Sequence, residues 1–393
     1  MDYDRFLNSK IKNTRPSGIR KFFDIASEME NVISLSVGEP DFKTPWHIRE
    51  KGIESLEKGK TFYSPNRGFT ALRDEICTYF DRRFGVRYEP DTDVLVTVGG
   101  SEAIDAALRV IIEEGDEVLI PEPSFVCYDP LTFMADGVPV IIETKAENDF
   151  RLMPEEIEEK ITDRTKVLIL PFPNNPTGAS MSREDYEAIA RVIEKHDLMV
   201  LSDEIYAELA YGGRKPVSFA SIPGMKERTI VISGFSKTFA MTGWRLGYAL
   251  GPKEIIEQMT KLHQYGIMSA PTTAQYAAIE ALKHGDADIE HMRDQYDMRR
   301  RLIVKAFNDM GLTCFEPLGA FYVFPCIKST GLSSEEFAEG LLYSKHVAVV
   351  PGTAFGKCGE GFVRVSYSYS VAHIKEALKR IQDFLEEIKN QDK

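Results

Sequence analysis

Beyond residue 90 the chain settles into a repeating pattern. Short unbroken apolar runs are separated by longer segments whose apolar residues recur every three or four positions. The runs at 94–98, 117–120, 138–143, 166–170, 198–201, 229–233 and 246–250 predict strands, and the segments at 101–114 and 183–196 predict the clearest intervening helices. Strands that are apolar throughout are buried on both faces. The pattern therefore predicts an α/β large domain over 46–286, with a mostly parallel sheet flanked by helices. Helical spacing also recurs at 46–60 and 69–84, where Ala71, Leu72, Ile76, Tyr79 and Phe80 make one apolar face.

The flanks break this rhythm. Residues 1–45 hold an expected short helix at 19–29 and a strand at 32–37, ended by Gly38-Glu39-Pro40-Asp41. After 286 comes a long charged helix at 288–310, with Arg299-Arg300-Arg301 expected on its wet face. Expected strands at 319–324, 347–350 and 361–366 and an amphipathic helix at 371–389 complete a smaller α+β unit over 287–393.

Composition narrows the class. Of 393 residues, 43% are apolar and 28% charged, which places the chain among globular proteins rather than disordered ones. Lys and Arg total 48 against 61 Asp and Glu, and the formal net charge of −13 disfavours nucleic acid and anionic membrane surfaces as partners. No apolar run approaches a membrane span, and the acidic start Met1-Asp2-Tyr3-Asp4 lacks the basic region of a signal peptide. Cys77, Cys127, Cys314, Cys326 and Cys358 are odd in number and widely spaced, as in a reduced cytoplasmic protein. The histidines show no metal spacing and are expected at surfaces or helix caps, so no metal is expected. Neither a dinucleotide fingerprint nor a phosphate-binding P-loop is present.

Every chemically suggestive motif in the large domain falls at the carboxyl end of an expected strand. These are Gly99-Gly100-Ser101-Glu102 after 94–98, Asn174-Asn175-Pro176-Thr177-Gly178 after 166–170, Ser202-Asp203-Glu204-Ile205-Tyr206 after 198–201, and Ser236-Lys237 after 229–233. In open α/β sheets ligands bind outside those ends, so the four loops are expected to converge. A lone lysine beside apolar surface is a candidate amine nucleophile, because desolvation lowers its pKa toward the neutral form. Gly100 and Ser101 at a helix start offer amides to an anion, and Arg245 offers two parallel hydrogen bonds. Asp203 at the end of an apolar strand needs a partner, and Arg364 interrupts another apolar run. Each has a plainer reading: solvated lysine, tight turn, helix cap, edge-strand charge.

The stretch Ser236-Lys237-Thr238-Phe239-Ala240-Met241-Thr242-Gly243-Trp244-Arg245-Leu246-Gly247 resembles the lysine signature of class I/II aminotransferases, pyridoxal-phosphate enzymes of fold type I. The resemblance runs from Ser17-Gly18-Ile19-Arg20 through Arg364, with motifs in family order. It implies pyridoxal 5'-phosphate as cofactor, with Lys237 bonded to it and shuttling a proton. Asp203 would pair with its ring nitrogen, and Tyr206 and Asn175 would face its phenolic oxygen. Phe125 would stack on the ring. Gly100, Ser101, Ser236 and Arg245 would hold the phosphate, with Gly234 standing where relatives often carry serine. Tyr63 would reach the phosphate across a homodimer interface. Gly38, Asn175 and Arg364 would take the substrate α-carboxylate. It also implies a discontinuous small domain made of 1–45 and 287–393. The expected activity is ping-pong transfer of an amino group from an L-amino acid, aromatic or broad in specificity, to a 2-oxo acid such as 2-oxoglutarate. Aspartate or N-acetyl-diaminopimelate transamination, a carbon–sulfur β-lyase, and a non-catalytic binding module are the alternatives. Arg20, Arg67 and Arg109 are the candidates for reading a side-chain carboxylate, each with a surface-charge alternative.

Overall fold

The computed structural model describes residues 1, 3–14, 16, 18, 25 and 28–391. The first strand, β1 (Ile33–Ser34), lies apart from the main sheet. The next seven are β2 (Val94–Thr97), β3 (Glu117–Glu122), β4 (Val138–Glu143), β5 (Thr165–Leu170), β6 (Met199–Asp203), β7 (Thr229–Gly234) and β8 (Gly247–Leu250). They form one sheet in the order β2-β8-β7-β6-β5-β3-β4. From β7 to β4 neighbouring strands are parallel, while β8 is antiparallel to both of its neighbours. The connection explains the exception. The chain passes from β7 to β8 through residues 235–246, which hold only the short turns Phe235–Thr238 and Thr242–Trp244 and do not carry the chain back across the sheet, as a parallel return would need. Six strands therefore end at one edge of the sheet, and β8 begins there.

Both faces are buried, as continuous apolar strands require. Leu95, Ile230 and Ile232 pack with Ile104, Ile256 and Met259 of helices Gly100–Ile111 and Lys253–Gly266. Val94, Val96 and Val231, one residue out of step, pack with Leu72, Ile76 and Ala277 of helices Thr70–Phe84 and Thr272–His284. Each large side chain buried this way contributes roughly 2 kcal/mol. A separate core joins Ile33 and Leu35 to Phe307, Phe321, Val365 and Phe384. Around it, β1 pairs in parallel with β10 (Val347–Ala348), and β12 (Val363–Ser366) lies between β9 (Tyr322–Val323) and β11 (Val350–Pro351).

Several expectations need correction. The expected strand at 347–350 is two strands in different sheets, because β10 pairs with β1 and β11 with β12. The helix expected at 19–29 lies largely outside the described residues. Arg299 and Arg300 are buried within the helix Asp286–Asp309, and only Arg301 faces water. Arg299 Nη1 donates to Asp41 Oδ1 at 2.8 Å and Arg300 Nη1 to Glu316 Oε1 at 2.7 Å, so carboxylates met in the fold offset the cost of burial. His263 is buried against Glu102, away from any surface. A Cβ at Gly247 would lie 2.7 Å from the Gly99 carbonyl carbon, so β8 starts tight against the end of β2. No helix among the described residues is long and apolar enough to cross a membrane.

Candidate active site

The shared strand edge opens on a cavity of about 640 Å³. Gly100, Ser101, Asn175, Asp203, Tyr206, Ser236, Lys237 and Arg245 all line it, from the four loops anticipated. Phe125 lines it as well, and Gly38 and Arg364 reach it from the chain's two flanks.

Lys237 lies in the single helical turn Phe235–Thr238 that follows β7. Its Nζ donates to the Gly38 carbonyl at 2.5 Å and lies 5.9 Å from the Tyr206 ring centre and 5.8 Å from that of Phe321. Burial brings the ammonium pKa down to about 8, Arg364 and Arg245 push the same way, and Glu39 pulls against them. Gly234 just before has no room for a side chain, since a Cβ there would sit 2.9 Å from Gly247 Cα. The hydroxyl available at this turn is that of Ser236, itself buried.

At one end of the cavity the chain leaves β2 through Gly99, whose φ of +78° and lack of a side chain admit the Arg245 guanidinium; a Cβ there would meet Arg245 Nη2 at 2.7 Å. Arg245 is in turn held by its Nη1, which donates to the Thr242 carbonyl at 2.8 Å. The helix Gly100–Ile111 starts at this point, so backbone amides, a hydroxyl and a guanidinium face one small volume. That set fits a phosphate.

Asp203 is buried at the end of β6. Its Oδ2 accepts the Tyr128 hydroxyl at 2.7 Å, and its Oδ1 accepts the Ile205 amide at 3.2 Å. Burial raises its pKa, with those two bonds opposing. A buried carboxylate with two neutral donors and no cation partner among the described residues fits a protonated heterocyclic nitrogen. The Tyr206 hydroxyl lies 2.8 Å from that of Tyr322. Phe125 is half-buried, its ring 6.1 Å from the Tyr128 ring.

Arg364 on β12 is fully enclosed. Its Nη1 donates to Asn175 Oδ1 at 2.8 Å, its Nη2 bonds the Ser36 carbonyl, and its Nε is buried without a partner. The guanidinium carbon sits 4.7 Å over the Tyr322 ring and 4.8 Å over the Phe355 ring. A buried guanidinium with no carboxylate partner among the described residues fits an anionic ligand group. Gly38 is tightly fitted here, because a Cβ would clash with the Tyr322 hydroxyl.

Tyr63 is not brought to this cavity and is 82% exposed. Arg67 bonds the Asp91 and Thr92 carbonyls, and Arg109 pairs with Asp105; neither lines the cavity. Arg20 lies outside the described residues. Sequence reasoning missed Tyr128 and Tyr322, the hydroxyls that contact Asp203 and Tyr206. Tyr128 sits three residues after Phe125, which was a usable signal. Tyr322, inside Gly319-Ala320-Phe321-Tyr322-Val323, reads as one more apolar strand position.

Residues 30–381 match the family described as aminotransferase class I and II. The chain is 46% identical to aromatic-amino-acid aminotransferase 2 of Thermococcus litoralis, over 98% of this chain and 99% of that one. It is equally similar, at 46% with the same coverage, to an aspartate aminotransferase of Pyrococcus abyssi. The crystal structure of an aromatic aminotransferase from Pyrococcus horikoshii OT3 superposes with a TM-score of 0.90 at 45% identity, covering 94% of this chain and 99% of that one.

Proposed function

The chain belongs to the class I and II aminotransferases, pyridoxal-phosphate-dependent transferases of fold type I, and from that premise we propose its substrate and the work of its residues. It moves the amino group of an aromatic L-amino acid, with breadth toward other apolar side chains, to a 2-oxo acid such as 2-oxoglutarate. The exchange runs in two half-reactions, so the first product leaves before the acceptor binds. Bound pyridoxal phosphate supplies an aldehyde that receives the amino group and a cationic ring that withdraws electrons. Lys237 Nζ would hold the cofactor through its aldehyde and, once freed, would take up and return a proton beside it. The Asp203 carboxylate would keep the ring nitrogen protonated, Phe125 would pack on the ring, and Tyr206 and Asn175 would donate to the phenolic oxygen. Gly100, Ser101, Ser236 and Arg245 hold the phosphate, and Tyr63 reaches it from a second copy of the chain. Arg364, with Asn175 and Gly38, takes the substrate α-carboxylate.

The substrate choice rests on one observation. Among the described residues the cations lining the cavity are Lys237, Arg245 and Arg364, each with a task already, while Val37, Phe125, Val126 and Ile205 supply apolar wall. Within one chain a distal carboxylate would find no uncommitted counter-charge among the described residues, and an aromatic ring would lose nothing. Two relatives of equal identity carry different substrate names, so similarity alone leaves this open. Initial rates with tyrosine, phenylalanine, aspartate and N-acetyl-diaminopimelate against 2-oxoglutarate test it; aspartate or N-acetyl-diaminopimelate as the best donor by kcat/KM would defeat the aromatic assignment. Parallel double-reciprocal lines are expected. Borohydride reduction and peptide mapping should find the cofactor mass on the peptide carrying Lys237.

A further inference from the structure

Glu102 stands in the first turn of the helix whose start forms the anion end of the cavity, the third residue of Gly100–Ile111. A carboxylate there ordinarily suits the helix dipole, and it ordinarily folds back onto the free amides of its own helix start. At this site both habits would harm a phosphate, by repelling it and by occupying its donors. The structure has Glu102 doing something else. Its Oε2 accepts the Val98 amide at 2.5 Å, one residue ahead of the glycine turn, and its Oε1 meets His263 Nδ1 at 2.5 Å. His263 comes from the helix Lys253–Gly266, is 1% exposed, and leaves its Nε2 buried without a partner. The turn is thus held from two sides, by Arg245 and Gly247 packed on Gly99 and by the Val98–Glu102–His263 chain behind it.

We propose that His263 is a positioning residue for cofactor phosphate binding. By holding one oxygen of Glu102, it keeps that carboxylate turned back toward Val98 and leaves the amides at Gly100 and Ser101 free for the anion. This rests on the reading of that turn as the phosphate site. Replacing His263 lets Glu102 swing toward the helix start, where it competes with the ligand.

The test compares two ligands that differ only in the phosphate. Apoprotein should bind pyridoxal phosphate more tightly than pyridoxal; if wild type does not, the phosphate-site reading itself fails, whatever His263 does. His263→Phe should weaken pyridoxal phosphate roughly tenfold, the scale of one hydrogen bond to a charged group, and leave pyridoxal unchanged. Binding of inorganic phosphate to the apoprotein should weaken in parallel. His263→Asn, which can still donate to Glu102, should recover most of the loss. In a Glu102→Ala background the His263→Phe effect should vanish, since no carboxylate remains to restrain. Equal weakening of both ligands, or a full phosphate-specific loss persisting without Glu102, overturns the proposal. Apoprotein melting temperatures identify any variant that has merely unfolded, and the Asn and Ala arms then decide.

Discussion

Burial sets the pH at which Lys237 loses its charge before any ligand arrives. Its pKa of about 8 lies below the usual 10.5 mainly because the amine loses water, with Arg364 and Arg245 adding to the shift. Below that pH the group is an ammonium and has no lone pair to offer. The rate at which apoprotein captures pyridoxal phosphate should therefore rise with pH through about 8 and level off above it, as followed by stopped-flow absorbance. A rate independent of pH between 7 and 9 would contradict the assignment. Arg364→Met removes one of the two like charges, so that inflection should move upward. The same variant should lower kcat/KM by about 2–3 kcal/mol, or roughly a hundredfold, because a planar pair of charge-assisted bonds to the substrate carboxylate is lost. These positions were legible in the sequence because each is a charge set where an apolar run ends or is broken. Tyr322 was not, because a hydroxyl at the rim of a ring does not disturb an apolar pattern.

Strand β6 shows how an element sorts neighbouring groups. Asp203 and Glu204 are consecutive, so their side chains leave the strand end in different directions. Asp203 faces the cavity, while Glu204 turns into the core, where its Oε1 accepts Ser202 Oγ, Ser218 Oγ and the Phe219 amide, each at 2.9 Å. Its other oxygen is buried without a partner, and burial raises its pKa from 4.5 to about 7. The sign of the linkage follows. The folded state holds this proton more tightly than the unfolded chain, so its stabilisation is complete below pH 4.5 and is lost as pH rises through about 7. Glu204→Gln should remove that contribution and make melting temperature fall less steeply over this window. Part of the slope should remain, since burial also raises Glu122 to about 7. An unchanged slope in calorimetry would mean that Glu204 is ionised when buried. Elements with one clean period were readable to the residue, as at Val138–Glu143 and Arg183–His196. Arg299 and Arg300 misled because a buried arginine and a wet one look alike until the partner is known, and Asp41 lies far away in the chain.

At the scale of the molecule, Tyr63 stands apart from the cavity that Tyr128, Tyr206 and Tyr322 line. Tyr63 and Phe62 stand 82% and 80% exposed, and nearby Tyr265, Ile267 and Met268 are exposed too. Thr272 Oγ1 donates to the Phe62 carbonyl and Asn66 Nδ2 to the Met268 carbonyl, both at 2.7 Å, so these two segments form one surface. Exposed aromatic and aliphatic side chains gathered on tied segments fit a self-complementary interface between two copies. If Tyr63 serves the partner's site, each site of a dimer combines Lys237 of one chain with Tyr63 of the other. Lys237→Ala protein should then be inactive, and Tyr63→Phe protein should need several-fold more pyridoxal phosphate for half-maximal activity, as the loss of one hydrogen bond implies. Refolded together, the two variants form heterodimers in which one site carries both changes and the other carries neither. The active sites of the mixture should then fall into two classes, one of wild-type cofactor affinity from the heterodimers and one of weakened affinity from the Tyr63→Phe homodimers. Were Tyr63 to serve its own chain, every heterodimer site would keep one lesion, and titration of the mixture would show only the weakened affinity of the Phe variant.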